Sequence, residues 1–173
     1  MTFWPKDKTD AEAFRASPDE FKACFRLWPT GVSVVTTRDS EGRAHGVTMN
    51  SVTSVSLEPP LLLMCLRNDS ETLKVLRASG IFCVNFLARG QEEISNRFAH
   101  RRPDKFQGVA THEGRLGAPV LEGVLAALEC RVEEVYPGGD HQIVLGELVH
   151  GTRHNPEAAP LVYVDGQYAR PQF

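Results

Sequence analysis

Three short stretches of this 173-residue chain gather the residue types that do chemistry. The first is PGGDHQIV, residues 137–144. A proline, two glycines and an aspartate interrupt a strand-like pattern, and His141 stands where the apolar alternation resumes. Glycine lets backbone pass close to a bound group. A histidine there can contact an amide or donate a proton near neutral pH. The plain alternative is a hairpin turn carrying a solvated histidine. The second stretch is GVTMNSVTSVSL (46–57), in which Thr48, Asn50, Ser51, Thr53, Ser54 and Ser56 crowd one extended segment. A strand sealed inside a core cannot satisfy that many hydroxyls cheaply. The segment is therefore either an edge strand facing water or a polar lining beside a flat ligand, with backbone N–H groups meeting ring carbonyls and hydroxyls meeting a phosphate or sugar chain. The third is RNDSETLKVL (67–76). A helix beginning there offers free N–H groups and a positive dipole end to a phosphate, with Ser70 and Thr72 as added donors. Simple capping by Ser70 is the competing account.

Several chemistries lack their signatures. No G-x-G-x-x-G follows a strand, no P-loop occurs and no G-x-S-x-G elbow is present. The six histidines form neither H-E-x-x-H nor another tight metal spacing, so no metal site is expected. The net charge of -3 argues against nucleic acid as a main partner. Cys24, Cys65, Cys83 and Cys130 form no C-x-x-C pair, and three of them sit in apolar runs, which predicts buried free thiols. The opening MTFWPKDKTDAEAF lacks the apolar core of a signal peptide, and no run of about 18 apolar residues exists. A soluble cytoplasmic protein that does not cross a membrane is expected.

The elements that must position these stretches follow from period and punctuation. Residues 1–16 read as an arm, and 17–173 as a single domain. In SPDEFKACFRLWPTG, Ser17 and Glu20 have capping-box spacing and Pro18 takes the first helical position. Phe21, Cys24, Phe25 and Trp28 share one face, and Pro29 ends the helix. Strands are predicted at 31–37, across 44–57 as one extended stretch, at 59–66 with both faces buried, and at 81–87. A helix is predicted over 68–80, ending at Gly80, and another over 91–100. An irregular segment runs to about 118, two long strands flank the turn at 137–141, and LVYVDGQYARP closes the chain with an Asp-Gly turn. About seven strands with few, short helices predict a mainly β fold, a barrel with flanking helices and not a doubly wound sheet.

WPTGVSVVTT, GVTMNSVTSVSLEPPLLLMCL, SETLKVL, FCVNFL, NRFA, DKF, ALECRVEEVYPGGDHQIVLGEL and PLVYVDGQY occur in this order over roughly residues 20 to 170. In that ordered set the chain resembles the flavin reductase family, the FMN-binding split barrels, and most of all the small reductase component of two-component flavin-dependent monooxygenases. The resemblance implies a split β-barrel and hydride transfer from NADH, less often NADPH, to FAD or FMN. It also implies a homodimer with the flavin in a groove near the subunit interface, and a separate monooxygenase that consumes the reduced flavin. Thr48, Met49, Asn50 and Ser51, with Ser54, would lie along the isoalloxazine and its chain. Ser70 and Thr72 would sit near the phosphate. Pro29, Thr30, Cys65 and Phe86 would line the groove, Phe98 would flank it, His141 would face the nicotinamide and Tyr168 would cover the pocket. The Trp28 helix face and the apolar strands exceed what one small barrel needs to bury, which also favours a dimer. A carrier or sensor that binds flavin without reducing it is the alternative on the same fold.

Overall fold

The computed structural model describes residues 15–170; most of the arm assigned to 1–16 lies outside them. The chain forms α1 (Pro18–Phe25), β1 (Thr30–Gly31), β2 (Ser33–Arg38), β3 (Ala44–Met49), β4 (Val52–Leu57) and β5 (Pro60–Arg67). Then follow α2 (Glu71–Ser79), β6 (Ile81–Phe86), α3 (Glu92–Ala99), β7 (Thr111–Glu113) and β8 (Pro119–Leu121). The long hairpin β9 (Ala126–Gly138) and β10 (His141–Arg153) precedes a short one, β11 (Val162–Val164) and β12 (Gln167–Ala169).

The local signals act as their chemistry dictates. The Ser17 hydroxyl accepts from the Glu20 N–H while the Glu20 carboxylate accepts from the Ser17 N–H, the reciprocal capping box. Ser70 caps α2 by accepting from Leu73 N–H, and Gly80 ends that helix at φ 70, where a Cβ would be strained. Asp165 at φ 49 and Gly166 at φ 78 make the tight turn of the last hairpin.

Seven strands pair antiparallel in the order β3-β2-β6-β9-β10-β5-β4. The two edge strands, β3 and β4, are consecutive in the chain and joined by Asn50 and Ser51 alone. A flat sheet cannot bring its opposite edges within two residues, so this one rolls up and closes at that crossing. Cys65 N–H donates to Ser51 O at 3.2 Å and the Ser51 hydroxyl donates to Cys65 O at 3.0 Å, holding the seam on one side. The Ser33 hydroxyl donates to Met49 O at 3.1 Å on the other. Bulges at Leu145/Gly146 and Leu148/His150 add the bend that long strands need to curl. The single stretch expected over 44–57 is thus two strands on opposite edges.

Inside the roll lie Val35, Met64, Phe82, Val84, Cys130 and Val144, with Leu73 and Leu76 of α2 plugging one end. The other face of β2 carries Val34 into a second cluster with Leu87, Phe98, Leu121, Val124 and Leu161. A buried polar link joins the two: Asn85 Nδ2 donates to Val34 O and to the Thr36 hydroxyl, and its Oδ1 accepts from Leu121 N–H. The expectation that 59–66 is buried on both faces holds for Leu62, Met64 and Leu66 only. Leu61, Leu63 and Cys65 point outward and are half-buried in the single chain. Likewise α1 buries no residue: Phe21 and Phe25 are exposed, as are Leu27 and Trp28 just after it.

All four cysteines are free, but Cys24 is exposed on α1 and not buried as expected. Burial pushes the Cys130 thiol up to about 12, and burial with the nearby Glu129 carboxylate pushes Cys83 higher still. Only the thiolate attacks. A disulfide reagent added to native protein should therefore leave Cys83 and Cys130 unlabelled until denaturant is added. Rapid labelling of all four in the native state would contradict this packing.

Candidate functional site

The crossing that closes the sheet also shapes the site. Trp28–Ser33, the crossing residue Asn50, Val52 and Thr53 of β4, and Phe86 and Leu87 at the end of β6 surround an open cleft of ≈ 440 Å³. Leu125, Pro160 and Leu161 complete it. Its size suits a small-molecule ligand, and its walls are mostly apolar with few polar groups, as such sites require. Two of those polar groups are unused. The Thr30 hydroxyl is buried with no hydrogen-bond partner among the described residues. The Asn50 amide has no side-chain partner among the described residues.

Backbone pairing fixes the neighbours of this cleft. Cys65 lies against Ser51 and pairs with Ile143. Two residues along β5, Arg67 pairs with His141, about 7 Å further on at strand rise. Alternation puts Cys65, Arg67, Ile143 and His141 on one face. His141 opens β10 and its side chain is 38% exposed. Its Nδ1 lies 2.7 Å from Asp140 Oδ1, and this contact holds the Asp140 carboxyl below its usual range. Asn68 ties the turn to the start of α2: its N–H donates to Asp140 O and its Nδ2 to Gly139 O. Gln142 Nε2 donates to Asn68 Oδ1 at 2.7 Å. Hydrogen bonds from Arg67 and Arg101 keep the Asp69 carboxyl low and bracket the α2 N-terminus with positive charge.

Not every expected residue is free to touch a ligand. Pro29, Thr30, Asn50 and Phe86 meet in the cleft. Met49 and Ser51 flank Asn50, and Ser54 is exposed on edge strand β4. The Thr48 hydroxyl is committed to Ser95 O at 2.6 Å and holds α3 against β3. The Ser70 hydroxyl serves the helix cap and Thr72 is buried. Tyr168 OH donates to Asn96 Oδ1 at 2.8 Å and lies 2.9 Å from the Ser95 hydroxyl, docking the last hairpin on α3. Phe98 corrects the expectation of a groove-side ring: it is fully buried, edge-on to Phe106 at 4.9 Å, and fills the space under Gly46. Lys105 of the DKF run likewise works as a strap, donating to Gly46 O and Phe98 O. Trp28, Ser33 and Leu161 were missed as cleft walls. Leu161 arrives only through long-range pairing with Val32 and Leu87, which no local pattern announces.

Residues 25–172 match the model of the flavin reductase like domain. The chain belongs to the flavin reductase family. Within that family it is 40% identical over 151 residues to the flavin-dependent monooxygenase reductase subunit HsaB of Rhodococcus jostii, covering 87% of this chain and 76% of the relative. It is 42% identical over 156 residues to an NADH-dependent FAD reductase of Streptomyces globisporus, covering 87% and 84%. The solved structure of the Streptomyces globisporus NADH:FAD oxidoreductase SgcE6 with NAD and FAD fragments superposes at a TM-score of 0.85 with 38% identity, covering 91% of this chain and 96% of that one. The mainly β architecture, a rolled antiparallel sheet with short helices, is the fold of these family members.

Proposed function

We propose that this chain is an NADH-dependent flavin reductase, which takes hydride from NADH, reduces FAD or FMN and releases the reduced flavin to a separate monooxygenase in the cytoplasm. The observation that carries the proposal is the cleft. It sets a buried, unpartnered Thr30 hydroxyl and a free Asn50 amide among apolar walls, beside a strand that leads directly to His141. Such a lining fits a flat ring that is apolar on its faces and polar along one edge. Bound flavin and nicotinamide supply the hydride acceptor and donor. The protein's share is to bind, align and dry the two rings. Asn50 and Thr30 hold the polar edge, and the seam at Ser51 and Cys65 supports the ring. His141, with Nδ1 turned to Asp140, presents Nε2 to the nicotinamide. The α2 N-terminus, flanked by Arg67 and Arg101, takes a phosphate through its backbone N–H groups.

In solution NADH oxidation should depend on added flavin, and steady-state rates with FAD and FMN in turn give the preference. Flavin binding without NADH oxidation would return the chain to the carrier reading.

The same reading makes the molecule a homodimer. The exposed aromatic face of α1 and the half-buried outer row Leu61, Leu63 and Cys65 are apolar surface that one copy leaves uncovered. Sedimentation velocity at micromolar protein should show a dimer; a monomer there would argue against an interfacial groove.

A further inference from the structure

The Trp28 side chain stands largely exposed, yet its position is fixed. The indole is 68% exposed, no other described ring stacks on it, and its N–H has no acceptor among the described residues. Its backbone, in contrast, is pinned on both sides. Trp28 N–H donates to Phe25 O at 3.1 Å, and Arg26 O accepts from Asp165 N–H at 2.6 Å. Arg26 Nε pairs with Asp165 Oδ1 at 3.2 Å. After Pro29, Thr30 and Gly31 lie in register with Tyr163 and Val162. A large flat side chain is thus held on an anchored frame at the wall of the cleft.

The cleft says what the indole faces. Trp28 lines it together with Thr30 and Asn50, and Asn50 adjoins Ser51, which is bonded to Cys65. A ring bedded on the Asn50–Ser51 crossing lies in the cleft that Trp28 walls. We propose that Trp28 is a positioning residue whose indole packs on the apolar part of the isoalloxazine and sets how the ring lies for hydride transfer. This rests on the proposed flavin reduction. The part of the ligand it touches is common to FAD and FMN.

The test is a titration of W28A, W28F and wild-type protein with FAD and with FMN, followed by steady-state kinetics with NADH. Loss of an aromatic stacking surface should weaken FAD and FMN alike in W28A by about five- to thirtyfold. W28F, which keeps a ring, should stay within about threefold of wild type. Thermal unfolding should change little, because the indole is mostly exposed and no described ring stacks on it. Flavin affinities of W28A within about twofold of wild type would overturn the proposal. So would a loss confined to FAD, which would place the contact on adenine, or a W28A chain that changes its sedimentation while binding flavin normally, which would assign Trp28 to subunit contact. Wild-type protein that binds neither flavin would overturn both this inference and the proposed function; wild-type binding with an indifferent W28A overturns this one alone.

Discussion

An F82A chain should be about 3–5 kcal/mol less stable than wild type, the range for emptying a buried phenylalanine site. Phe82 is fully buried on β6 in the core of the roll, among Val84, Cys130 and Val144. Across the sheet, β10 makes room for the ring with Gly146. A Cβ built there would stand 2.3 Å from Phe82 Cζ, which no packing tolerates. G146A should therefore cost about 1–3 kcal/mol through overpacking while Phe82 is present. In the F82A background the added methyl enters vacated space, so the two substitutions should be strongly non-additive. Urea unfolding of the two single variants and the double variant, followed by circular dichroism, measures the coupling. Equal costs of G146A in both backgrounds would mean that ring and glycine do not meet as described.

H141A should lower kcat/KM for NADH about 5- to 30-fold, corresponding to about 1–2 kcal/mol of lost transition-state stabilisation. Flavin affinity should change little, because His141 stands beyond Cys65 from the cleft and pairs with Arg67 at the strand end. The Asp140 carboxylate 2.7 Å from Nδ1 orients the ring, so D140N should show a smaller loss in the same direction. A histidine that merely decorates the turn predicts otherwise: every kinetic constant of H141A would stay within about twofold of wild type. Loss of flavin binding in H141A would move the histidine from the nicotinamide side to the flavin itself.

Much of this fold is legible in the sequence because its signals are local. The Ser17–Glu20 box, Gly80 after α2 and the Asp165-Gly166 turn each answer to one residue's chemistry. The break at Asn50–Ser51 is not legible, because β-branched and hydroxyl residues continue on both sides of it. What divides the stretch is closure of the sheet, a global event. Cys24 on an amphipathic face reads as buried, but α1 buries none of its residues against the described chain. At the site, unusual polarity marks Asn50 and glycine flanks mark His141, whereas Thr30 comes only with the family resemblance. It does not distinguish a hydroxyl that waits for a ligand from one already used, and Thr48 and Ser70 are of the second kind. Phe98 misleads for the same reason, since a ring next to a motif looks alike whether it lines a groove or fills the core below it.

The protein, and not merely the solution, should pass hydride from NADH to flavin. Anaerobic stopped-flow mixing of the flavin-loaded protein with NADH tests it most directly, by following the loss of the visible flavin band. The bleaching rate should saturate with NADH, far exceed that of free flavin under the same conditions, and fall in H141A. Flavin that binds the protein but bleaches no faster than in buffer would contradict it.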